Sequence, residues 1–241
     1  MSKNLTSSTF VEDLLSPHRR SASPWLTWYA ANGERIELSG RVFDNWVAKS
    51  ANMLSELFSL DEGDIVVVNL SSHWKSLVLA LASLHHGATL VDAGGELAAE
   101  AALWITDAPN DAQIPASAEI LAVNPAALAL SFGDDLGPVA EDFNASVRTY
   151  ADQFYPSAVS GTAAAIIGST GAEPLTLQSL FDAQAESRGT ILVRAEIPLL
   201  ELLPYAVAQW RAGDAIVLLG EGVEATERLH EGERITFDYL P

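Results

Sequence analysis

The chain has 241 residues, 49% of them apolar and 19% charged, a balance that describes a core-rich globular protein and excludes disorder. Its formal charge is -19, and from Ala51 to Ser187 the only basic side chains are Lys75 and Arg148, so it lacks the dense Lys/Arg footprint that nucleic acid or an anionic membrane requires. Cysteine is absent, which excludes disulfides, thiolate catalysis and zinc–thiolate sites.

The same acidity opposes ATP, CoA and other polyanions except at a locally basic pocket or beside a bound cation, and otherwise serves solubility. The N-terminal stretch has no apolar signal core, and no later stretch is long and charge-free enough to span a bilayer. The sequence therefore predicts a soluble cytoplasmic protein.

In chain order, Phe10–Leu15 reads as a short amphipathic helix, followed by a Pro/Ser/Arg linker over Ser16–Pro24. Trp25–Ala30 and Arg35–Leu38 flank Ala31-Asn32-Gly33-Glu34, a β-hairpin in which Asn-Gly supplies the positive φ angles. Ser39 caps a helix from Arg41 to Phe58 whose apolar positions Phe43, Val47, Ala51, Leu54, Leu57 and Phe58 share one face. Ile65–Leu70 is apolar enough for a buried parallel strand. A helix from His73 to His86 closed by Gly87 follows, then a strand over Ala88–Val91.

Leu103–Thr106 and Glu119–Val123 are two further strands around an exposed loop, Asp107–Ala116. Asn124–Asp135 gives no clear pattern, and Pro138–Phe154 is read as a helix weakened by Asn144 and Val147. Next comes an apolar strand, Ala163–Ile167, the loop Gly168-Ser169-Thr170-Gly171, a proline and a helix starting near Thr176. Strand, glycine-hydroxyl loop and helix together can cradle a phosphate, because backbone N–H groups converge on the anion and the helix N-terminus adds positive charge. Here the loop has no lysine or arginine and carries Glu173 where an anion would sit.

The rest alternates: helix Leu177–Glu186, strand Thr190–Arg194, helix Pro198–Ala212, strand Ala215–Leu219, helix Val223–Glu231 and strand Ile235–Tyr239. Gly63 to Gly87 spans the same distance as Gly189 to Gly213, with Leu77 opposite Leu203 and Ala80 opposite Ala206. That register predicts two similarly built α/β units of mostly parallel strands flanked by helices. The resulting division is a helix and linker (residues 1–24), a first α/β unit (25–135), and a second (136–241) that carries the glycine loop.

Several other constellations are weaker. Gly220-Glu221-Gly222-Val223-Glu224-Ala225 matches G-x-G-x-x-A, but Glu221 and Glu224 would face a pyrophosphate, so a tight turn is the better reading. His73, His85, His86 and Asp92 lack metal-ligand spacing. No Gly-x-Ser-x-Gly elbow is present. Glu100, Asp107, Asp134, Asp135, Glu141 and Asp142 read as a solvated acidic face, and the tryptophans as core.

Leu26-Thr27-Trp28-Tyr29, Ala51-Asn52-Met53-Leu54, Gly63-Asp64-Ile65-Val66 and Gly87-Ala88 resemble the opening of the adenylate-forming superfamily: acyl-CoA synthetases, luciferases and adenylation domains. Gly168-Ser169-Thr170-Gly171 falls where that family has its phosphate loop, S-G-T-T-G-x-P-K. The resemblance implies the fold of the N-terminal subdomains of acyl-CoA synthetases, and a loop that holds the ATP phosphates.

The departures are specific. One extra residue (Ala172 or Glu173) precedes Pro174, Leu175 replaces the family's lysine, and Glu201 stands where relatives place an aromatic or histidine near the acyl pocket. Unit charges a few Å apart in a partly shielded site interact by about 4 kcal/mol, so exchanging an ammonium for a carboxylate removes most of the phosphate affinity. The family's adenine segment, ribose-binding aspartate and catalytic-lysine domain lie beyond the point that Pro241 reaches, so the resemblance implies a chain that forms no acyl-adenylate alone.

Two expectations stay open beside a third, a ligand-free homodimeric scaffold. One is a catalytically incomplete, pseudoenzyme-like binding or interaction protein. It takes a small acyl or nucleotide-like ligand, a protein partner or a second copy of itself. The other is the ATP-binding part of an adenylate-forming ligase, holding ATP or AMP with Mg2+ through Gly168, Ser169, Thr170 and Gly171 and completed by a partner. No catalytic residue, metal site, nucleic acid or membrane is expected in either.

Overall fold

The computed structural model describes residues 7–133, 136, 139–168, 173–185 and 188–239. The chain opens with a two-residue strand β1 (Ser7–Ser8), helix α1 (Phe10–Leu15), and a hairpin of β2 (Pro24–Tyr29) and β3 (Arg35–Ser39). Helix α2 (Gly40–Phe58) leads to β4 (Ile65–Asn69), helix α3 (Trp74–His85), β5 (Thr89–Val91), β6 (Leu103–Thr106), β7 (Glu119–Ala122) and β8 (Ala140–Asp142). A single helical turn α4 (Phe143–Ser146), β9 (Val159–Ser160), β10 (Ala164–Ile167) and β11 (Leu175–Thr176) precede α5 (Leu177–Asp182). The chain continues through β12 (Thr190–Arg194), α6 (Leu199–Arg211), β13 (Ile216–Leu219), α7 (Glu227–Glu233) and β14 (Ile235–Asp238).

These strands make a seven-stranded sheet in the order β11-β10-β5-β4-β6-β7-β8 and a five-stranded sheet in the order β14-β12-β13-β2-β3. The larger sheet is parallel except for β10–β11, the smaller except for β2–β3. Each sheet draws strands from both sides of residue 135: β2 runs parallel to β13 with Leu26 opposite Ile216, and β10 runs parallel to β5 with Ile166 opposite Leu90. The hairpin is locked there by aromatic packing. Trp25 stacks on Trp210 at 4.9 Å between ring centres, and Trp210 Nε1 donates to the Trp25 carbonyl at 3.2 Å.

One continuous core lies between the sheets and takes in α1, α2, α3, α5 and α6. Alternation along β4 shows the layering directly: Val66 and Val68 face this core, while Val67 faces a smaller cluster with Val91, Ala98 and Trp104 on the outer side. All 12 residues of α3 are buried. That explains its sequence, WKSLVLALASLH, apolar nearly all round apart from two serines, Lys75 and His85.

The two units are matched in backbone as well as spacing. Gly63, Gly87, Gly189 and Gly213 all have positive φ, at 91°, 77°, 94° and 83°, and Leu77, Leu203, Ala80 and Ala206 are each 0% exposed. In both units a parallel strand, a buried helix and an adjacent parallel strand follow in turn.

Some elements differ from the sequence reading. In the hairpin only Gly33 has positive φ, not Asn32. Gly33 N donates to the Ala30 carbonyl and Ala30 N to the Glu34 carbonyl, so a turn plus one left-handed glycine closes the loop instead of a two-residue mirror turn. Pro138–Phe154 holds one turn of α-helix rather than a helix throughout. Ala140–Asp142 is drawn into the sheet beside β7, and Asn144 turns its amide to Asn124 instead of solvent.

His73, Thr176 and Thr226 lie outside their helices as N-caps. The last helix starts at Glu227, later than Val223, because Thr226 supplies the cap that Val223 cannot. Helix α5 ends at Asp182. Among the described residues no helix is long and apolar enough to cross a membrane.

Candidate functional site

In parallel α/β sheets ligands bind beyond the carboxyl ends of the strands. Here the strands of both sheets end at one cavity of about 620 Å3. It is lined by residues that follow β2, β4, β6, β7, β12 and β13: Ala30 to Asn32 with Glu34, Leu70 to Ser72, Asp107, Val123 with Pro125 and Ala126, Ala195 to Leu199, and Gly220 with Glu221. Its volume suits a small organic molecule. A second cavity of about 520 Å3 adjoins it, sharing Asp107 and Pro125.

The floor is the N-terminus of α3. Because this helix is enclosed by the core, its first N–H groups must be met by protein groups. His73 Nδ1 accepts from Lys75 N at 3.1 Å, and Ser76 Oγ accepts from His73 N at 2.8 Å, forming a capping box. With Nδ1 occupied as acceptor, the neutral ring carries its hydrogen on Nε2. That atom donates to no described residue and is open to the cavity rather than sealed in the core, and the ring, only 7% exposed, lines the cavity edge-on to Trp28. Burial, helped by the Lys75 charge, lowers the His73 pKa to about 3, so the ring is neutral at physiological pH.

Lys75 is 2% exposed. Its Nζ donates to the carbonyls of Asn124 at 2.7 Å and Ala126 at 2.6 Å. Burial, assisted by Arg148, brings its pKa down to about 8. The lysine therefore fixes one wall of the cavity. Asn124 completes that wall: its N–H donates to Asn144 Oδ1 at 2.8 Å, and its own Oδ1 accepts from Ala126 N at 3.0 Å. On the opposite wall Ser72 Oγ donates to the Ile197 carbonyl at 2.6 Å and joins the two α/β units.

The rim is acidic. Glu34, Asp107, Glu196 and Glu221 line it, and Lys75 is the basic side chain among the described lining residues. Asp107, pressed by the surrounding protein, has its carboxyl pushed above its ordinary value. Gly220 lets the rim close: a Cβ there would lie 2.9 Å from the Trp28 ring and 3.0 Å from the Tyr29 carbonyl. The G-x-G-x-x-A pattern thus serves a turn packed on a tryptophan, with Val223 N donating to the Gly220 carbonyl.

Gly168, half-buried, follows β10, and it does not line the cavity. Ser169, Thr170 and Gly171 lie outside the described residues. Glu173 is exposed, and Leu175, which occupies the place of the family's lysine, sits in β11 opposite Ile166. Glu201 is an exposed residue of the first turn of α6 and does not line the cavity. His85 and His86 pack against Phe154, with His86 Nε2 at 3.0 Å from the Ala51 carbonyl.

The sequence reading did not assemble this cavity. His73, Asp107 and Glu221 were weighed in other patterns, and Lys75, Glu34 and Glu196 had no role. A signal was present: each follows an apolar strand, or opens the helix after one, within the repeated strand–helix–strand units.

No protein-family model matches the chain. A curated relative, a TIGR03089 family protein of Mycobacterium tuberculosis (strain ATCC 25618 / H37Rv), is 28% identical over 162 residues, covering 63% of this chain and 64% of that protein. The solved acyl-CoA synthetase of Brucella canis matches with a TM-score of 0.78 at 16% identity, over 98% of this chain and 48% of that one. The acetoacetyl-CoA synthetase from Streptomyces lividans matches at 0.73 with 14% identity, over 96% and 42%. At these identities the likeness is one of fold. The chain has the fold of the N-terminal part of acyl-CoA synthetases and spans about half the length of the solved structures it matches.

Proposed function

We propose that this chain, an adenylate-forming-ligase-like α/β protein, works as a small-molecule binding protein whose site is the cavity between the sheets, and that the glycine loop does not hold a nucleotide. The cavity carries this reading. It lies where parallel sheets present ligands, is preformed by the Lys75–Asn124 and Ser72–Ile197 contacts, and keeps a polar floor under an apolar wall. Its charge argues against a polyphosphate, since the Lys75 ammonium is taken up by two carbonyls and the rim is anionic.

A ligand-observed NMR screen of a small-fragment set, repeated on Ala126→Trp, tests the reading. Ala126 is exposed on the cavity wall, so a tryptophan there fills the mouth without entering the core. Fragments that bind the wild type should lose binding in the variant. Hits that persist in Ala126→Trp would overturn the reading.

A second reading keeps one observation in its favour: Gly168 does end a parallel strand beside β5, at the edge where a phosphate loop belongs. Under it the chain is the ATP-binding part of a ligase, with Mg2+ offsetting Glu173 and a partner supplying the missing lysine. One of the matched structures is an ATP-bound chimera, with a TM-score of 0.63 at 14% identity. Glu173→Lys separates the readings, because it should strengthen ATP affinity only if the loop is a working phosphate site.

A further inference from the structure

The chemistry of the cavity goes further than its existence and selects a class of ligand; this step rests on the binding reading above. Four features bear on it together. The wall formed by Trp28, Val123 and Leu199 is buried and apolar, and it favours a ligand with a short hydrocarbon body.

The floor offers a hydrogen-bond donor without an acceptor. His73 is 7% exposed, lines the cavity, and commits Nδ1 to Lys75 N, so its Nε2–H meets no acceptor among the described residues. This donor is open to the cavity, so a ligand's acceptor replaces water on it with the modest net gain of one hydrogen bond. The rim carries Glu34, Asp107, Glu196 and Glu221 on loops from different strands, converging on one opening. Lys75, the cation among the described lining residues, is already bound to two carbonyls at 2.7 and 2.6 Å. An anion entering here meets repulsion at the rim, and at the floor an ammonium two of whose three donors are already committed.

A bare metal ion does not fit this pattern. Among the described residues no three His, Asp or Glu side chains are grouped to hold one, and the apolar wall offers an ion nothing. An organic ammonium uses all of the parts.

We propose that the cavity takes a small organic cation, an amine with a short apolar body, whose ammonium group lies at the carboxylate rim and whose hydrogen-bond acceptor receives the His73 Nε2–H. The amine enters protonated and no covalent step is involved. Recognition by diffuse rim carboxylates makes binding salt-dependent, and the His73 donor distinguishes amines that carry a carbonyl from those that do not.

Calorimetry with matched probes tests this. The probes are 4-aminobutanamide (cation and acceptor), butylamine (cation only), butanamide (acceptor only) and butanoate (anion). We expect 4-aminobutanamide to bind most tightly and butylamine about three- to tenfold more weakly, as the loss of one hydrogen bond to the His73 donor implies. Butanoate should give no heat. Asp107→Asn and Glu221→Gln should each weaken 4-aminobutanamide about three- to tenfold, while Glu100→Gln, an exposed acid that precedes β6 and does not line the cavity, should leave it unchanged.

His73→Asn keeps an N-cap acceptor and removes the ring N–H, so it should bring 4-aminobutanamide down to the affinity of butylamine. Equal binding of butanamide and 4-aminobutanamide, or binding of butanoate, overturns the proposal. If those probes are blocked by Ala126→Trp, the binding reading survives the loss. Equal weakening by Glu100→Gln also overturns it, because the effect is then only the protein's overall charge. No heat from any probe overturns it as well, and the fragment screen then decides the binding reading separately.

Discussion

The two strand–helix–strand units, β4–α3–β5 and β12–α6–β13, share spacing, glycine geometry and buried leucines, yet their helices begin in different ways. Helix α3 is buried along its whole length and starts with a side-chain capping box from His73 and Ser76. Helix α6 starts at Pro198 with no side-chain cap, carries exposed Glu201 and Arg211, and contains Pro204. The reason is access to water. The start of α3 lies under the cavity floor, so protein groups must meet its N–H donors, whereas α6 starts at the exposed mouth beside Pro198. The repeated scaffold is thus asymmetric at the cavity: one unit contributes the polar floor, and the other contributes Glu196 and Glu221 to the rim.

The largest test of the shared scaffold is paired truncation. Leu77→Ala and Leu203→Ala should each cost about 3 kcal/mol in denaturant unfolding, because both side chains are 0% exposed in one continuous core. Markedly unequal losses would break the equivalence of the units.

Acid should then expose the asymmetry. The His73 and His85 pKa values are each lowered to about 3, chiefly by burial, and both belong to the α3 unit. Unfolded, these rings take up protons near pH 6.5. Their contribution is therefore complete above pH 6.5 and lost as pH falls towards 3. Each histidine should remove on the order of 1 kcal/mol of stability per pH unit within that window. Unfolding midpoints measured between pH 7 and pH 5 should fall, and His85→Leu should flatten the slope.

A smaller difference is expected at the closing glycines. A Cβ on Gly87 would meet Val159 Cγ1 at 2.9 Å and Glu62 Cγ at 3.0 Å, whereas at Gly213 nothing lies within 4 Å. Both have positive φ, so Gly213→Ala should cost about 1 kcal/mol from backbone strain. Gly87→Ala should cost about 2 kcal/mol, with the clash added. The smallest effect concerns the tie between units. Ser72→Ala removes the bond to the Ile197 carbonyl and should cost about 1 kcal/mol. His73→Asn, which keeps the cap, should stay within about 0.5 kcal/mol of wild type.

The repeat was legible because glycine spacing and apolar runs are local, and a parallel sheet records them directly. Ser39, the hairpin and the strands from Ile65 to Val123 were found for the same reason. Sheet membership was not local. Nothing in Trp25–Leu38 alone says that its neighbour is Ile216–Leu219, because the signal is the fit of Trp25 on Trp210. Asn124–Asp135 was opaque for a related cause, since the start of this segment is held by Lys75 and Asn144, each distant in sequence.

The candidate site shows both sides of this. The glycine loop attracted attention as a contiguous motif, while the cavity is assembled from single residues after separate strands. Only the known rule for parallel sheets joins them in advance.

The central claim is that ligand binding belongs to the cavity and not to the glycine loop. Its most direct test is calorimetric titration of the protein with ATP and AMP, with and without Mg2+. The account predicts no heat at millimolar nucleotide. Micromolar binding that is lost in Ser169→Ala or Thr170→Ala would contradict it and restore the loop as the working site.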